Sequence, residues 1–184
     1  LARKHRPFLS GVTVSGGEPT RQLKFVVALF AAIKADEALE GLDCFIDSNG
    51  NLGASGWEHL LPVTDGVMLD IKGFDNALHR ELTGKDNVKS LQSARLLNEA
   101  GKLYELRFLL VPGQTDGDAE LDRLIDFVRT LGGEVRVRLN AFQHHGVRPK
   151  AREWAPMSRT GVGRAAARLR EAGIRNVVEP AVYV

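Results

Sequence analysis

Cysteine is nearly absent from this sequence, since Cys44 is the only one among 184 residues. One cysteine excludes an intrachain disulfide, and it excludes an internal metal site built from several thiolates. We expect Cys44 to be a small core residue of its strand. The scarcity of cysteine also indicates a reducing compartment, so we expect a cytoplasmic protein.

Long apolar runs and a strong charge bias are also missing. No run reaches the roughly 18 residues that a membrane-spanning helix needs, so we expect no contact with a membrane. The formal net charge is only +2, and the basic stretches at residues 3–6 and 164–175 are interpreted as solvated surfaces rather than a nucleic-acid site. The sequence does not begin with methionine, which favours a cut or incomplete chain, although processing also removes an initial methionine.

What the sequence does contain is an alternation of short β-branched runs and longer segments of helical period. Strands are predicted at residues 11–15, 43–47, 66–73, 103–111, 134–139 and 176–178. Helices are predicted at 21–34, 89–100, 119–131 and 162–172, with a short helix or turn at 57–61. Repeated strand–helix units predict an α/β fold with a parallel sheet, either open and doubly wound or a barrel of the TIM type. Five or six strands favour an open or partial barrel, formed by one domain over residues 1–184.

Polar residues interrupt the apolar pattern at the carboxyl ends of the predicted strands, where both candidate folds gather their functional groups. Asp70 and Lys72 are two residues apart and therefore share one face of the third strand. Asp47 adds a carboxylate at the end of the neighbouring strand. These charges indicate either an internal salt-bridge network or a site for a zwitterionic ligand or a cation.

A glycine pair follows the first predicted strand, in the segment GGEP at residues 16–19. This segment is either a tight strand-to-helix turn or a place where backbone groups and Glu18 approach the ammonium group of a ligand. A loop of about twenty residues follows the fifth strand, and loops of that length are usually functional or mobile. On their own, His144 and His145 in this loop are interpreted as surface residues.

The segment GVTVSGGEP at residues 11–19 resembles the glycine-glycine-glutamate segment of radical S-adenosylmethionine (SAM) enzymes. Three further segments are similar, in order and spacing, to the pyruvate formate-lyase activating enzyme family: IDSNG at 46–50, VMLDIK at 67–72, and LRF at 106–108 with VPG at 111–113. The resemblance covers essentially the whole chain. The stretch LNAFQHHG at 139–146 and the ending PAVY at 180–183 resemble the YjjW-type branch of that family.

This resemblance implies a partial (β/α)6 TIM-like barrel that comprises strands 2 to 6 and a C-terminal segment. Its first strand–helix unit would be missing, because the first residues resemble the segment before the second barrel strand. The resemblance also implies SAM as a cofactor. Gly16, Gly17 and Glu18 would meet the amino group of its methionine moiety.

The family pattern implies further roles, position by position. Asp70, Ile71 and Lys72 would line the same cofactor, with Lys72 paired to its carboxylate. Asp47 and Asp70, with backbone carbonyls near Ser48 and Ile71, would form a monovalent-cation site.

Two other positions are implied to lie near the reacting groups. Arg107 would face the cofactor or the developing radical, so Lys72 and Arg107 are the residues expected to act in catalysis. The family places a histidine near the adenosyl moiety, in the loop after the fifth strand. Strict alignment puts Gln143 at that position with His144 beside it, and both are kept as candidates.

The sequence departs from the family pattern at its front, where the CxxxCxxC motif that holds a [4Fe–4S] cluster is absent. We therefore expect a truncated chain whose full-length protein alone binds the cluster. The full-length reaction would be reductive cleavage of SAM to a 5′-deoxyadenosyl radical, which removes a hydrogen atom from a glycine of a partner. The implied partners are a glycyl radical enzyme and an electron donor such as flavodoxin or ferredoxin. The fragment alone should be inactive.

Two other functions remain open from the residues themselves. One is a barrel-type lyase or aldolase with Lys72 as a Schiff-base nucleophile, which would require a lowered pKa for Lys72 in an apolar pocket. The other is a binding or regulatory module that has lost its cluster naturally.

Overall fold

The computed structural model of the chain describes residues 2–147 and 149–181. The strands in these residues are β1 (Gly11–Val14), β2 (Asp43–Ser48), β3 (Gly66–Ile71), β4 (Leu103–Leu110), β5 (Val137–Ala141) and β6 (Val177–Val178). The helices are α1 (Ala2–His5), α2 (Leu23–Lys34), α3 (Ala54–Leu60), α4 (Asn76–Thr83), α5 (Val88–Glu99), α6 (Asp118–Thr130) and α7 (Arg159–Glu171). Shorter 3-10 turns occupy Arg6–Phe8, Pro19–Gln22, Leu61–Val63 and Pro149–Glu153.

The strands form one sheet in chain order, from β1 to β6, with parallel neighbours. Helices alternate with the strands, because parallel neighbours need a crossover connection. Within the described residues the sheet does not close on itself. The prediction of a partial TIM-like barrel of parallel strands is confirmed. No helix in the described part of the chain is both long and apolar enough to cross a membrane.

The chain divides into two compact units, and the first extends to residue 69 and includes residues 89–104. The two-residue period of its strands decides which side chains are enclosed. On β2, Cys44, Ile46 and Ser48 are buried, whereas Phe45 and Asp47 on the opposite face are half-buried. The sheet of this unit therefore has one closed face and one open face.

A polar contact with α5 fixes the chain just after β2. Ser93 Oγ accepts a hydrogen bond from Trp57 Nε1 at 2.7 Å and donates one to the carbonyl of Gly50 at 2.8 Å. Ser90 Oγ donates to the carbonyl of Asn49 at 2.7 Å. These bonds satisfy backbone carbonyls that leave the strand, and they hold the turn at 48–50 in a single arrangement.

The second unit contains residues 70–88 and the chain from residue 105 onward. On β4, Leu106, Phe108 and Leu110 are fully buried, whereas Arg107 lies half-buried on the opposite face. The register of β4 and β5 pairs Arg107 with Arg138. Polar side chains of the two strands thus share one face, opposite the apolar core.

Several predicted boundaries were wrong. The helices predicted at 57–61 and 162–172 each begin three residues earlier, at Ala54 and Arg159. Two further differences have a clear local cause. The strand predicted at 134–139 is Val137–Ala141, because β5 pairs with Leu106 to Leu110 and the Phe142 amide continues the pairing to the Leu110 carbonyl. The helix predicted from residue 21 begins at Leu23, because a 3-10 turn capped by Glu18 comes first.

Lys34 and Asp65 form a partly buried ion pair in the first unit. Lys34 Nζ lies 2.5 Å from Asp65 Oδ2, and the amide of Cys44 donates to the same oxygen at 2.6 Å. Burial raises the pKa of Asp65, but the bonds from Lys34 and Cys44 outweigh burial, so its pKa lies below the ordinary 3.8. The hydrogen bond to Asp65 raises the pKa of Lys34 above its ordinary 10.5.

Asp65→Asn should lower the free energy of unfolding by about 1 to 2 kcal/mol near neutral pH, because a charged hydrogen-bond acceptor is lost. Since the folded pKa of Asp65 is lowered, its contribution is present above the unfolded pKa and is lost as the pH falls through the folded pKa. The contribution of Lys34, whose folded pKa is raised, is lost only as the pH rises through that value. Urea unfolding of the original chain and of Asp65→Asn, at a series of acidic and neutral pH values, measures the free energy of unfolding and its dependence on pH.

Asp126→Asn is the matched control, since Asp126 is exposed and 3.6 Å from Arg129 in a surface pair. It should leave stability almost unchanged. An Asp65→Asn variant with the stability and acid dependence of the original chain would contradict the role given to this pair.

Candidate functional site

The turn after β1 presents bare backbone to solvent. Gly16 and Gly17 are exposed and have positive φ angles of 91° and 51°, respectively. A Cβ atom added to either glycine would meet no heavy atom within 4 Å. The left-handed conformation favours glycine here, and the open space leaves the amide and carbonyl groups accessible to a ligand.

The Glu18 carboxylate joins this turn to the end of β2. Its Oε1 accepts hydrogen bonds from the Thr20 amide at 3.1 Å, the Thr20 hydroxyl at 2.6 Å and the Ser48 hydroxyl at 2.9 Å. Its Oε2 accepts from the Asn49 amide at 2.8 Å. The carboxylate of Glu18 therefore already accepts hydrogen bonds that hold this turn to β2. An ammonium group of a ligand would have to bind the same carboxylate beside these donors.

The end of β2 places two predicted residues in different surroundings. Asp47 is half-buried on the open face of the sheet. Ser48 is buried, and its hydroxyl accepts a hydrogen bond from the Gly50 amide at 3.0 Å in addition to its bond with Glu18. In this unit the structure brings together Gly16, Gly17, Glu18 and Ser48.

The second unit contains the predicted pair at the end of β3. Lys72 Nζ lies 3.1 Å from Asp70 Oδ2, with side chains 37% and 28% exposed, respectively. Lys72 follows the last residue of β3 rather than lying within it. Ile71 is fully buried, side chain and backbone alike.

The loop after Lys72 is clamped on both sides by residues that the sequence analysis missed. The Glu120 carboxylate accepts from the amides of Phe74 at 2.6 Å and Asp75 at 2.8 Å. The Asn87 side-chain amide donates to the carbonyls of Gly73 at 3.2 Å and Phe74 at 2.7 Å. The sequence did contain a signal for Glu120. It lies one helical turn before Leu124, so it falls on the apolar face of α6, where a charged side chain needs a partner.

Glu105 on β4 is a second buried carboxylate that sequence reasoning missed. It is only 1% exposed and accepts hydrogen bonds from the Nε atoms of Arg107 and Arg136, each at 2.8 Å, and from that of Arg138 at 2.9 Å. Burial raises the pKa of Glu105, but the three guanidinium groups outweigh burial and hold this pKa below its ordinary value. The available signal was the spacing of Glu105 and Arg107, two apart in an otherwise apolar strand.

The loop after β5 holds the last two predicted residues. Gln143 Nε2 donates to the Met157 carbonyl at 3.5 Å, a long hydrogen bond. His144 is exposed, and its Nε2 lies 2.7 Å from the Trp154 carbonyl, so this nitrogen carries the proton in that contact. Both contacts tie the beginning of the loop to its end. Val182 and Tyr183, part of the ending compared with the YjjW-type branch, lie outside the described residues.

The two cofactors suggested by the sequence resemblance differ in how well these residues fit them. In the first unit, the open glycine turn offers backbone groups of a kind that suits the amino group of SAM. In the second unit, taken by itself, Lys72 offers an ammonium group of a kind that suits a carboxylate. A [4Fe–4S] cluster does not fit, because Cys44 is the single thiol, is fully buried, and has its pKa raised by that burial. Among the described residues, no group of three or more His, Cys, Asp or Glu side chains could hold a metal ion.

Two curated relatives share substantial sequence with this chain. It is 38% identical over 138 residues to a pyruvate formate-lyase-activating enzyme of Streptococcus mutans, which covers 74% of this chain and 52% of that protein. It is 36% identical over 139 residues to the enzyme of the same name from Staphylococcus aureus, which covers 74% of this chain and 55% of that protein. The chain thus spans about half the length of these relatives.

Solved structures share the fold at low sequence identity. A domain of a pyruvate-formate lyase-activating enzyme from Bacteroides vulgatus superposes with a TM-score of 0.76 at 16% identity, covering 94% of this chain and 99% of that one. A radical SAM methyltransferase from Sphaerobacter thermophilus also gives a TM-score of 0.76, at 19% identity, covering 98% of this chain and 55% of that one.

A family-level comparison decides the assignment. The sequence pattern of the Radical SAM superfamily matches residues 1–128, more than half of the chain. Membership implies SAM and a [4Fe–4S] cluster as the cofactors of the family. By this match, and by the sequence similarity to activating enzymes, the chain belongs to the radical SAM superfamily.

Proposed function

We propose that this chain is the SAM-binding part of an activating enzyme for a glycyl radical enzyme. The observation that carries the proposal is its 36% to 38% identity to proteins named pyruvate formate-lyase-activating enzyme. Because the chain spans only about half of those relatives, the activity, the protein substrate and the partners are proposed for the complete protein.

The proposed reaction is a one-electron reduction of SAM coupled to hydrogen-atom transfer. The S–C5′ bond breaks, and a hydrogen atom moves from a glycine of the partner to the 5′ carbon. The products are methionine, 5′-deoxyadenosine and a glycyl radical. The chain in hand contributes binding and orientation, which decide which C–H bond meets the reactive carbon.

The first unit would bind the amino group of SAM at the glycine turn. The carbonyl groups near Gly16 and Gly17 are open, and the nearby Glu18 carboxylate makes the potential there favourable to an ammonium group. Because Glu18 already accepts four hydrogen bonds, it would act mainly through its charge and through the shape of the turn. Asp47 and Ser48 would line the same end of the site.

The second unit would bind the carboxylate end of SAM. Lys72 would pair with the methionine carboxylate, in place of or beside its present partner Asp70. Ile71, between these two residues, is proposed to line the same cofactor. Asp47 and Asp70 are proposed as the carboxylates of a monovalent-cation site.

The remaining predicted residues are proposed to lie near the reacting carbon and the adenosyl group. Arg107 would face the cofactor, held by its bond to Glu105. Gln143 and His144 are the two candidates for the adenosyl contact. The long 3.5 Å bond of Gln143 is easier to exchange for a ligand than the 2.7 Å contact of His144, which favours Gln143.

The cluster ligands of the complete enzyme would have to come from outside these 184 residues, since the chain has one cysteine. A flavodoxin or a ferredoxin is proposed as the electron donor, and a glycyl radical enzyme as the protein substrate. The scarcity of cysteine supports the cytoplasm as the compartment.

The longest natural protein that contains this chain should cleave SAM when it is reconstituted with iron and sulfide and reduced under anaerobic conditions. We expect equal amounts of methionine and 5′-deoxyadenosine, measured by chromatography. With the correct partner enzyme, electron paramagnetic resonance should detect a glycyl radical. Cleavage without a glycyl radical on any candidate partner would reject the activase assignment, and absence of SAM cleavage would reject the enzyme assignment as a whole.

The 184-residue chain alone should take up no [4Fe–4S] cluster in the same reconstitution, because a single buried thiolate cannot replace three ligands. Iron and acid-labile sulfide analysis after desalting measures this directly. The Cys44→Ala variant is the control and should give the same background. Stoichiometric cluster uptake by the chain alone would contradict the prediction.

Gly17→Ala in the complete protein should weaken SAM binding by about tenfold, the equivalent of 1.4 kcal/mol, because a methyl group would occupy the open space over the turn. Gly84→Ala is a matched control, since Gly84 also has a positive φ, of 80°, and open space around its Cβ position. Both variants should lose about 1 kcal/mol of stability from the left-handed conformation. Equilibrium dialysis with labelled SAM measures the dissociation constant of each variant. Equal SAM affinities of Gly17→Ala and Gly84→Ala would contradict the role of the turn.

A further inference from the structure

The strand β1 forms an edge of the sheet and carries backbone groups that no other strand meets. Among the described residues, β2 is the only strand that pairs with β1. The Asp43 amide donates to the Ser10 carbonyl at 3.0 Å, which fixes which residues of β1 turn their backbone groups toward β2. The amide and carbonyl groups of Gly11 and Thr13 therefore point to the outer edge of the sheet, where another strand can pair with them.

The sequence of β1 lacks the features that usually protect an edge strand. Such edges are commonly protected by charged side chains, by proline or by a bulge. The strand reads GVTV, without a charge or a proline, and a serine lies on each side of it. Thr13, whose backbone faces the outer edge, also has an exposed side chain. The edge is therefore open to a second strand.

One side of α2 continues this edge as an apolar surface, the α2 flank, which consists of Phe25, Leu29 and Ala32. The spacings of four and three residues place them on one side of the helix. Phe25 is 59% exposed, Leu29 is half-buried and Ala32 is exposed. On the other side of α2, Lys34 reaches Asp65 just before β3. The α2 flank therefore faces away from β3, on the side of β1.

The charges at the two ends of α2 are complementary to an antiparallel copy of the same helix. Arg21 and Lys24 lie at its amino end, and both are exposed. Glu37 and Glu40 follow its carboxyl end and are also exposed. None of these four side chains makes a hydrogen bond or ion pair with a described residue. The helix dipole favours the reverse order of charge, so the arrangement is unfavourable for the helix by itself and favourable for an antiparallel partner.

A two-fold axis through Thr13 satisfies the strand edge and the α2 flank together. Thr13 would lie opposite its own copy, and the two residues would exchange N–H···O bonds in both directions. Val12 and Val14 are in register with buried residues of β2, so they lie on the closed face and would pack across the axis. Strands lie about 4.8 Å apart and a crossover helix covers the strands that it joins, so the two α2 helices would lie about 10 Å apart, as packed helices do.

We propose that two copies of this 184-residue chain associate through this surface, with β1 antiparallel to its copy and the two α2 flanks in contact. Each copy offers the same surface to the other, so the pairing is isologous and closes at a dimer. The inference rests on the first unit alone. It does not depend on the proposed function, and the cofactor assignments do not depend on it.

Sedimentation equilibrium of the 184-residue chain over a range of concentrations measures the association. We expect a reversible dimer of twice the 20.2 kDa mass of the chain. Thr13→Pro removes an outward amide without breaking a bond to β2, and an edge strand tolerates proline at such a position. It should raise the dissociation constant of the dimer by about tenfold or more, because two symmetric hydrogen bonds are lost. Thr13→Val keeps the amide and is the matched control, which should dimerise like the original chain.

Thr13→Cys tests the register of the pairing. The Cα atom of a residue on the two-fold axis lies about 5.5 Å from that of its copy, a distance that a disulfide spans. Mild oxidation should therefore link Thr13→Cys into a covalent dimer in non-reducing electrophoresis. Ser15→Cys is the control and should stay unlinked, because position 15 would lie opposite Gly11 of the other copy. Cys44 is fully buried and does not compete.

A charge reversal tests the antiparallel arrangement of the helices. Arg21→Glu or Glu37→Arg alone should raise the dissociation constant of the dimer about threefold at low salt, because like charges then meet at both ends. The variant with both changes should regain the original affinity, as expected for a direct interaction in a double-mutant cycle. Glu37 is chosen rather than Asp36, since Asp36 is already paired with Arg3.

Different results would overturn the proposal in different ways. A chain that stays monomeric at every concentration would reject self-association, and the edge would then fit another occupant, such as a strand of the complete protein. Growth beyond a dimer would contradict a closed pairing. A folded Thr13→Pro that dimerises like the original chain, or a link through Ser15→Cys in place of Thr13→Cys, would reject the pairing of β1. Circular dichroism checks folding, and the cross-link and the charge reversal do not depend on Thr13→Pro.

Discussion

The two-residue period of the parallel strands is the constraint on which the rest of this structure depends. It places Cys44, Ile46 and Ser48 of β2 on the closed face and leaves Asp47 on the open one. The same alternation on β4 buries Leu106 and Phe108 and directs Arg107 to the opposite face. A polar residue can therefore sit between two core residues without entering the core. This is how strands that must be apolar enough to fold also supply charged groups.

Three carboxylates, Glu105 and Glu120 buried and Glu18 half-buried, turn this pattern into fixed geometry. Glu18 joins the glycine turn to the end of β2, Glu120 holds the loop after Lys72, and Glu105 holds a group of arginines. Burying a carboxylate is costly unless hydrogen bonds compensate it, and each of these has several charged or backbone donors. A carboxylate held in this way is rigid, and the segments that it ties together become rigid with it. Under the proposed function these segments would need that rigidity, because a small displacement changes which atom is closest to a reactive carbon.

The sequence predicted much of the fold, because periodicity and turn residues are local signals. The strands and the parallel sheet were recovered, and β2, β3 and β4 were placed within two residues of their bounds. The misplacement of β5 arose because its limits depend on its pairing with Leu106 to Leu110, which no local signal in 134–141 reports. The roles of Glu105 and Glu120 were only hinted at by local spacing, because most of their partners are not local. Their partners lie up to 33 and 46 residues away in the chain, respectively, and only the fold brings them together.

The saturation of Glu18 changes how a glycine-glycine-glutamate turn should be understood in physical terms. With four donors already on its two oxygens, the carboxylate has little hydrogen-bonding capacity left for a ligand. Its negative charge nevertheless remains, and a charge acts over several ångströms without a direct bond. Under the proposed function, the glycines supply the contacts and Glu18 supplies the potential and the shape. Replacing Glu18 by glutamine would then disturb the turn by removing an acceptor for the Asn49 amide, as well as removing the charge. Loss of SAM binding in such a variant would not distinguish these two causes, whereas the glycine variants change the contact surface and leave the charge in place.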